Sequence, residues 1–171
     1  MFGFHRISSL LGLAIVVLAV SARAETSPED VLGKSFQLMA SDCDYACCYE
    51  LAGLHSRRFL AVLKDATLAS IESGGAEDGT LADTFGLNID SIENVDSLTP
   101  REVFARSTCN TIKTMPIEFR YTKFEIIRTE RPNPETIEYY VRLSGLQASP
   151  NMTEESFYRL VQEDGAWRID Q

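Results

Sequence analysis

The apolar periodicity of this chain changes at Met115, and that change constrains the fold more than any other feature. Upstream, apolar residues recur at helical spacing; downstream, they alternate with polar ones, as in half-buried strands. Ser27-Pro28-Glu29-Asp30 combines a cap residue, a proline at the first helical position and two first-turn acids, so it marks a helix start. Leu32, Phe36 and Met39 follow on one stripe, flanked by Val31 and Leu38. Asp42 offers the next cap, with Cys47, Leu51 and Leu54 as a second stripe. Phe59, Leu60, Leu63 and Ile71 mark a third helix, which Gly74-Gly75 stops. Residues 72–80 and 88–98 read as loops around a short turn at 81–85. Thr99-Pro100-Arg101-Glu102 is a capping box with proline inside it, and Val103, Phe104 and Ile112 supply the buried side of the helix it starts.

Beyond Met115, Ile117, Phe119 and Tyr121 alternate on one face and Phe124 and Ile126 on the other, which predicts a β-bulge between Tyr121 and Phe124. Arg131-Pro132-Asn133-Pro134 is a turn, and Ile137, Tyr139, Val141 and Leu143 are the inward row of the next strand. Ser149-Pro150-Asn151 breaks the chain again. Phe157 to Val161 and Trp167 to Ile169 then form a hairpin closed by Asp164-Gly165. Helices followed by a run of antiparallel strands predict an α+β fold: N-terminal helices packed on a curved, cone-like antiparallel sheet of four or more strands.

The stretch Ser156-Phe157-Tyr158-Arg159-Leu160-Val161-Gln162-Glu163-Asp164-Gly165-Ala166-Trp167-Arg168-Ile169 resembles the closing hairpin of the nuclear transport factor 2-like (SnoaL-like) superfamily. The helix starts at Ser27 to Val31 and Thr99 to Glu102 fall where that family places them, so the resemblance covers nearly all of residues 25–171. It implies a conical pocket, which the superfamily uses in isomerases, dehydratases, polyketide cyclases and many proteins without a reaction. The enzymes use an Asp base, sometimes an Asp–His pair, with Tyr or Asp donors. No motif carries those roles onto particular residues here. Pairing of two copies through the sheet is the assembly the resemblance allows.

The N-terminus reads as an export signal. Met1 to Arg6 is short and positively charged, Leu10 to Val20 is apolar apart from Gly12, and Ala22-Arg23-Ala24 is a small-x-small cleavage site. The apolar run is too short for a membrane span, and no other stretch is long enough. Residues 1–24 are therefore expected to be a cleaved signal peptide. Residues 25–171 then form a single domain that works in the periplasm or is secreted, with no lipid anchor because no cysteine lies near the cut. The whole chain carries a formal net charge of −9, and loss of Arg6 and Arg23 takes it to −11. A polyanion would be repelled, which excludes nucleic acid as a partner and fits a solvated acidic surface.

All four cysteines lie after the cut and would meet an oxidising compartment, where two disulfides among Cys43, Cys47, Cys48 and Cys109 are the expected state. A Cys47–Cys48 bridge is geometrically awkward, so either Cys47 or Cys48 should reach Cys109 and Cys43 should pair locally. The long bridge would close a loop of about sixty residues, for which chain entropy credits roughly 4 kcal/mol. Two i,i+4 cysteines cannot bridge inside a regular helix, so Cys43 is expected at a helix end or turn. The C-x3-C-C spacing is neither a zinc pattern nor a C-x-x-C redox pair, so no metal is expected.

Sequence motifs of known chemistry are lacking: no G-x-S-x-G, H-E-x-x-H, Walker loop or G-x-G-x-x-G occurs, and no cofactor is called for. Asp90, Glu93 and Asp96 lack EF-hand spacing, and Asn151-Met152-Thr153 is a chance sequon. His55, the lone histidine after the leader, precedes Ser56-Arg57-Arg58 and reads as a surface or helix-end residue. Pocket candidates come from alternation: Tyr121 and Tyr139 on inward rows carry hydroxyls, Phe119 and Val141 share those rows, and Trp167 lies on the last strand, where it reads as core. These features predict a small exported protein, non-enzymatic, binding a small molecule or a protein through a cone pocket or the sheet face. The alternatives are an isomerase- or dehydratase-like enzyme with a carboxylate base and a Tyr donor, and an acidic protein that masks a basic partner.

Overall fold

A computed structural model describes residues 26–75 and 95–171; the expected leader and the turn at 81–85 lie outside these residues. The fold is α+β, with four described helices and a four-stranded antiparallel sheet. Helix α1 (Pro28–Ala40) begins on a reciprocal capping box: Ser27 Oγ accepts from the Asp30 N–H at 3.1 Å and the Asp30 carboxylate accepts from the Ser27 N–H at 3.3 Å. The same device at Thr99 and Glu102 starts α4 (Pro100–Thr114). Between them, α2 (Tyr45–Ala52) and α3 (Arg57–Ser70) follow, and α3 runs into a π-helical turn at Ile71–Gly75. The cap of α2 is Asp44, which accepts from the Cys47 N–H at 2.9 Å, and not Asp42, whose carboxylate is turned to Arg120.

The strands form a meander in sequence order: β1 (Lys123–Asn133), β2 (Thr136–Ser144), β3 (Glu154–Glu163) and β4 (Ala166–Ile169). The row Ile137, Tyr139, Val141 and Leu143 is buried as its alternation requires. Asp164 and Gly165 both have positive φ (53° and 73°), the backbone of a two-residue hairpin turn that matches strand twist. Two readings shift. Residues 117–121 are not strand: Ile117–Phe119 is a 3-10 turn after Pro116, and β1 begins only at Lys123. The bulge accordingly sits at Ile127, between the pairs Ile126–Val141 and Arg128–Tyr140, and a second irregularity lies at Arg131-Pro132. There proline cannot donate to the ladder. The turn itself moves to Pro134-Glu135, where Asn133 Oδ1 accepts from the Glu135 N–H at 3.0 Å.

Two apolar layers result. Val31 and Leu32 of α1 pack on Ile137, Tyr139, Val141, Leu143, Leu160, Trp167 and Ile169 of the sheet. Cys48, Leu51, Leu60, Phe104, Cys109 and Ile112 join α2, α3 and α4 in the second layer, and Leu54 touches both. The solvent face of the sheet is tied by cross-strand ion pairs, Arg142 with Glu155 at 3.4 Å and Arg159 with Glu138 at 2.8 Å.

Candidate functional site: a cavity between α1, α4 and the sheet

Helical spacing builds two walls of a cavity. On α1, Phe36, Met39 and Ala40 stand at i, i+3 and i+4; on α4, Thr108, Thr111, Ile112 and, just past its end, Met115 share one face. Leu143 of β2 and Tyr158 of β3 form the floor, and Phe119, Arg120 and Tyr121 complete the lining. The volume is about 280 Å³, near the lower end for small-molecule sites. Met115, Ile117 and Phe119 are exposed beside it, with Phe119 at 54%. Below it, a gap bounded by Leu32, Phe124 and Val141 among others has no room for a water molecule, so the cavity ends there.

Arg120 is the single charged residue in this lining, and it is 8% exposed. Its guanidinium donates to Ser41 O and Asp42 Oδ1, each at 2.9 Å, to Met115 O at 3.1 Å and to Ile112 O. The carbonyls of Ser41, Ile112 and Met115 lie at the C-terminal ends of α1 and α4, which carry orphan acceptors and the negative end of the helix dipole. One buried cation thus clamps both helix ends that frame the cavity. Asp42 is mostly exposed, so the carbonyls dominate the clamp. The Nε–H of Arg120 is the one buried side-chain donor without a partner among the described residues.

The lining is chemically quiet. It contains no carboxylate and no imidazole. Tyr121 donates to Glu154 at 2.7 Å, and that hydrogen bond raises its phenol. Burial does the same at Tyr158. Both therefore stay neutral at physiological pH. A wall of this kind can sequester an apolar molecule but has no group poised to take a proton from one.

Of the residues singled out by alternation, Phe119 and Tyr121 line the cavity, although Phe119 does so from the 3-10 turn and not from a strand. Tyr139, Val141 and Trp167 belong to the sheet core instead. Tyr139 is fully buried and donates to Glu29 in the first turn of α1. That hydrogen bond is the main reason the Glu29 carboxyl lies below its usual range, the opposite of what a general base at neutral pH needs. Trp167 faces Arg131, whose guanidinium stands 5.9 Å from its ring centre. His55 lies in the short linker between α2 and α3, just before the Ser56 cap, but its ring is not a surface group. It stacks on Phe59 at 5.2 Å and lies tilted against Phe104 at 4.4 Å between centroids, and Nδ1 meets Leu51 O at 3.1 Å. Burial pushes its pKa down to about 4.

Sequence reasoning missed Arg120, Met115 and Tyr158 as lining residues. The available signals were a methionine at the end of each of two helices, adaptable side chains suited to variable surfaces, and the position of Tyr158 two residues before Leu160 on an inward row.

Cys43 and Cys47 are bonded, with Cα atoms 5.3 Å apart, and Cys43 precedes the Asp44 cap, at the helix end that i,i+4 bridging requires. Cys48 and Cys109 are buried thiols. Among the described residues no cluster of three or more His, Cys, Asp or Glu could hold a metal, and no helix is long and apolar enough to cross a membrane. Compared with family models, curated proteins and solved structures, the chain finds no match.

Proposed function

We propose that this chain is an exported, non-enzymatic binding protein of the nuclear transport factor 2-like kind, which holds a small apolar ligand in the cavity between α1, α4 and the sheet. One observation carries the reading. About 280 Å³ is left open among Phe36, Met39, Ile112, Met115 and Leu143, between the core layer of Leu143 and Phe36 on the sheet side and that of Ile112 and Met39 on the helix side. An unfilled space lined by apolar groups forfeits dispersion contacts that a ligand restores. The adjoining exposed Met115, Ile117 and Phe119 give such a ligand an apolar approach. The net negative charge, −9 for the whole chain and −11 without residues 1–24, favours an uncharged or cationic ligand over an anionic one. The export signal and the helix and hairpin motifs at Ser27, Thr99 and Ser156 to Ile169 support the address and the family.

The test uses N-phenyl-1-naphthylamine, a neutral fluorophore. Its emission should rise on addition of the protein and saturate near one equivalent. Thr108→Phe, which places a ring in the cavity, should weaken that binding at least tenfold with an unchanged circular dichroism spectrum. Val62→Ser, at a site 60% exposed on α3, should leave it unaltered. Equal binding by the Thr108→Phe protein would remove the cavity as the site.

A further inference from the structure

We propose that Cys48 and Cys109 close a second disulfide, joining α2 covalently to α4. Three placements lead there. Both sulfurs are buried in the layer between α2, α3 and α4, with Cys48 at 0% and Cys109 at 5% exposure. Cys109 is also the neighbour that, after burial, does most to push the Cys48 thiol up, which places the two thiols side by side. Cys109 Sγ also lies 3.7 Å from Cys43 O, so the α4 thiol sits against the segment that carries the Cys43–Cys47 bond. With Cys43 and Cys47 already paired, Cys48 and Cys109 are each other's remaining partner. The structure therefore selects the pairing that the sequence alone leaves open between Cys47 and Cys48.

The step is an oxidation. Each thiol gives up its hydrogen, the S–S bond forms, and two protons and two electrons pass to a small-molecule disulfide that is reduced to two thiols. Exchange of this kind proceeds through a thiolate. Burial first, and then the neighbouring Cys109, push the Cys48 thiol up to about 12, so the folded protein presents almost no thiolate there. No oxidant reaches a sulfur with no exposed surface either. The bond must consequently form while α2 and α4 are still separating and docking, not after they have packed.

Refolding the reduced full chain in a glutathione redox buffer tests both statements, and needs neither export nor a ligand. Thiols counted in denaturant should fall from four to zero, with a mass loss of four hydrogens. A peptide containing Cys109 should be cross-linked, and fragmentation between Cys47 and Cys48 should place the link on Cys48. Two alkylated thiols at Cys48 and Cys109, or a link from Cys109 to Cys47 or Cys43, would overturn the pairing. A Cys43→Ser/Cys47→Ser protein isolates the same pair, and should also end with no free thiol. Oxidised glutathione added to protein already folded in reductant should close the Cys48–Cys109 bond at least tenfold more slowly than during refolding. Equal rates would sink the claim that packing must come second.

Discussion

Arg120 shows how much one side chain can hold. It satisfies three carbonyls at the ends of α1 and α4, and its charge is buried with a mostly exposed carboxylate as its one ionic partner. Truncation to alanine would strip those acceptors together, and a buried polar group left without a partner costs about 1–3 kcal/mol. Some acceptors would regain water through the cavity, so Arg120→Ala should lose about 3 kcal/mol in urea unfolding. Lysine keeps the charge but not the planar fork that reaches several carbonyls at once. Arg120→Lys should therefore recover less than half of that loss; full recovery would show that charge alone matters. Asp170, 5% exposed, is a second such point. Burial raises its carboxyl, but hydrogen bonds from Arg58 and Ser56 together with the Arg58 charge outweigh that and hold it below its usual 3.8. Because the folded value is the lower one, its stabilisation is present above pH 3.8 and disappears as the pH falls through the folded value. Asp170→Asn should accordingly be less stable than the parent at pH 7, and the difference should vanish in strong acid.

At the scale of elements, the helix starts have separable energies. The Ser27 and Thr99 boxes lie on different helices and share no partner, so their effects should add. Ser27→Ala and Thr99→Ala should each cost about 1 kcal/mol in thermal or urea unfolding, and the double variant about 2 kcal/mol. A markedly larger double effect would mean that the caps are coupled through packing. These starts were legible because capping chemistry is local: four residues contain the donor, the acceptor and the proline. The β2 row and the Asp164-Gly165 turn were legible for the same reason, since period 2 and positive φ are properties of short segments. Residues 117–121 were not. Ile117, Phe119 and Tyr121 alternate like a strand, yet Pro116 fixes the entry, the Phe119 N–H pairs with Pro116 O at 3.0 Å and the Arg120 N–H with Ile117 O at 3.1 Å. A tight turn and a strand can share an apolar pattern, and here the roof of the cavity depends on which one forms. The cavity itself escaped reading because its walls and floor come from segments far apart in the chain, α1, α4 and the strands of Leu143 and Tyr158, and periodicity tells which face is buried but not whether that face is filled.

For the molecule as a whole, the decisive titration below neutrality is that of His55. Its ring lies between Phe59 and Phe104, with one polar partner at Leu51 O, and the isolated bridge between His55 and Ile169 ties the same residue to β4. An unfolded chain takes up a proton there near pH 6.5, whereas the folded chain resists it until about pH 4. Between those values the unfolded state binds more protons, so stability must rise with pH across that window and level off above it. The two pKa values imply a loss of about 2 kcal/mol on going from pH 7 to pH 5. His55→Phe keeps an aromatic ring between Phe59 and Phe104 and removes the titration. It gives up the contact to Leu51 O, which lowers stability at every pH without changing the slope. Urea unfolding at pH 7, 6 and 5 should show the parent protein weakening over that range while the His55→Phe protein stays level down to the carboxylate region. If both proteins lose the same amount between pH 7 and 5, the His55 ring is accessible to solvent protons in the folded state, and the layer joining α2, α3 and α4 is looser than the packing of Leu51, Leu60 and Phe104 implies.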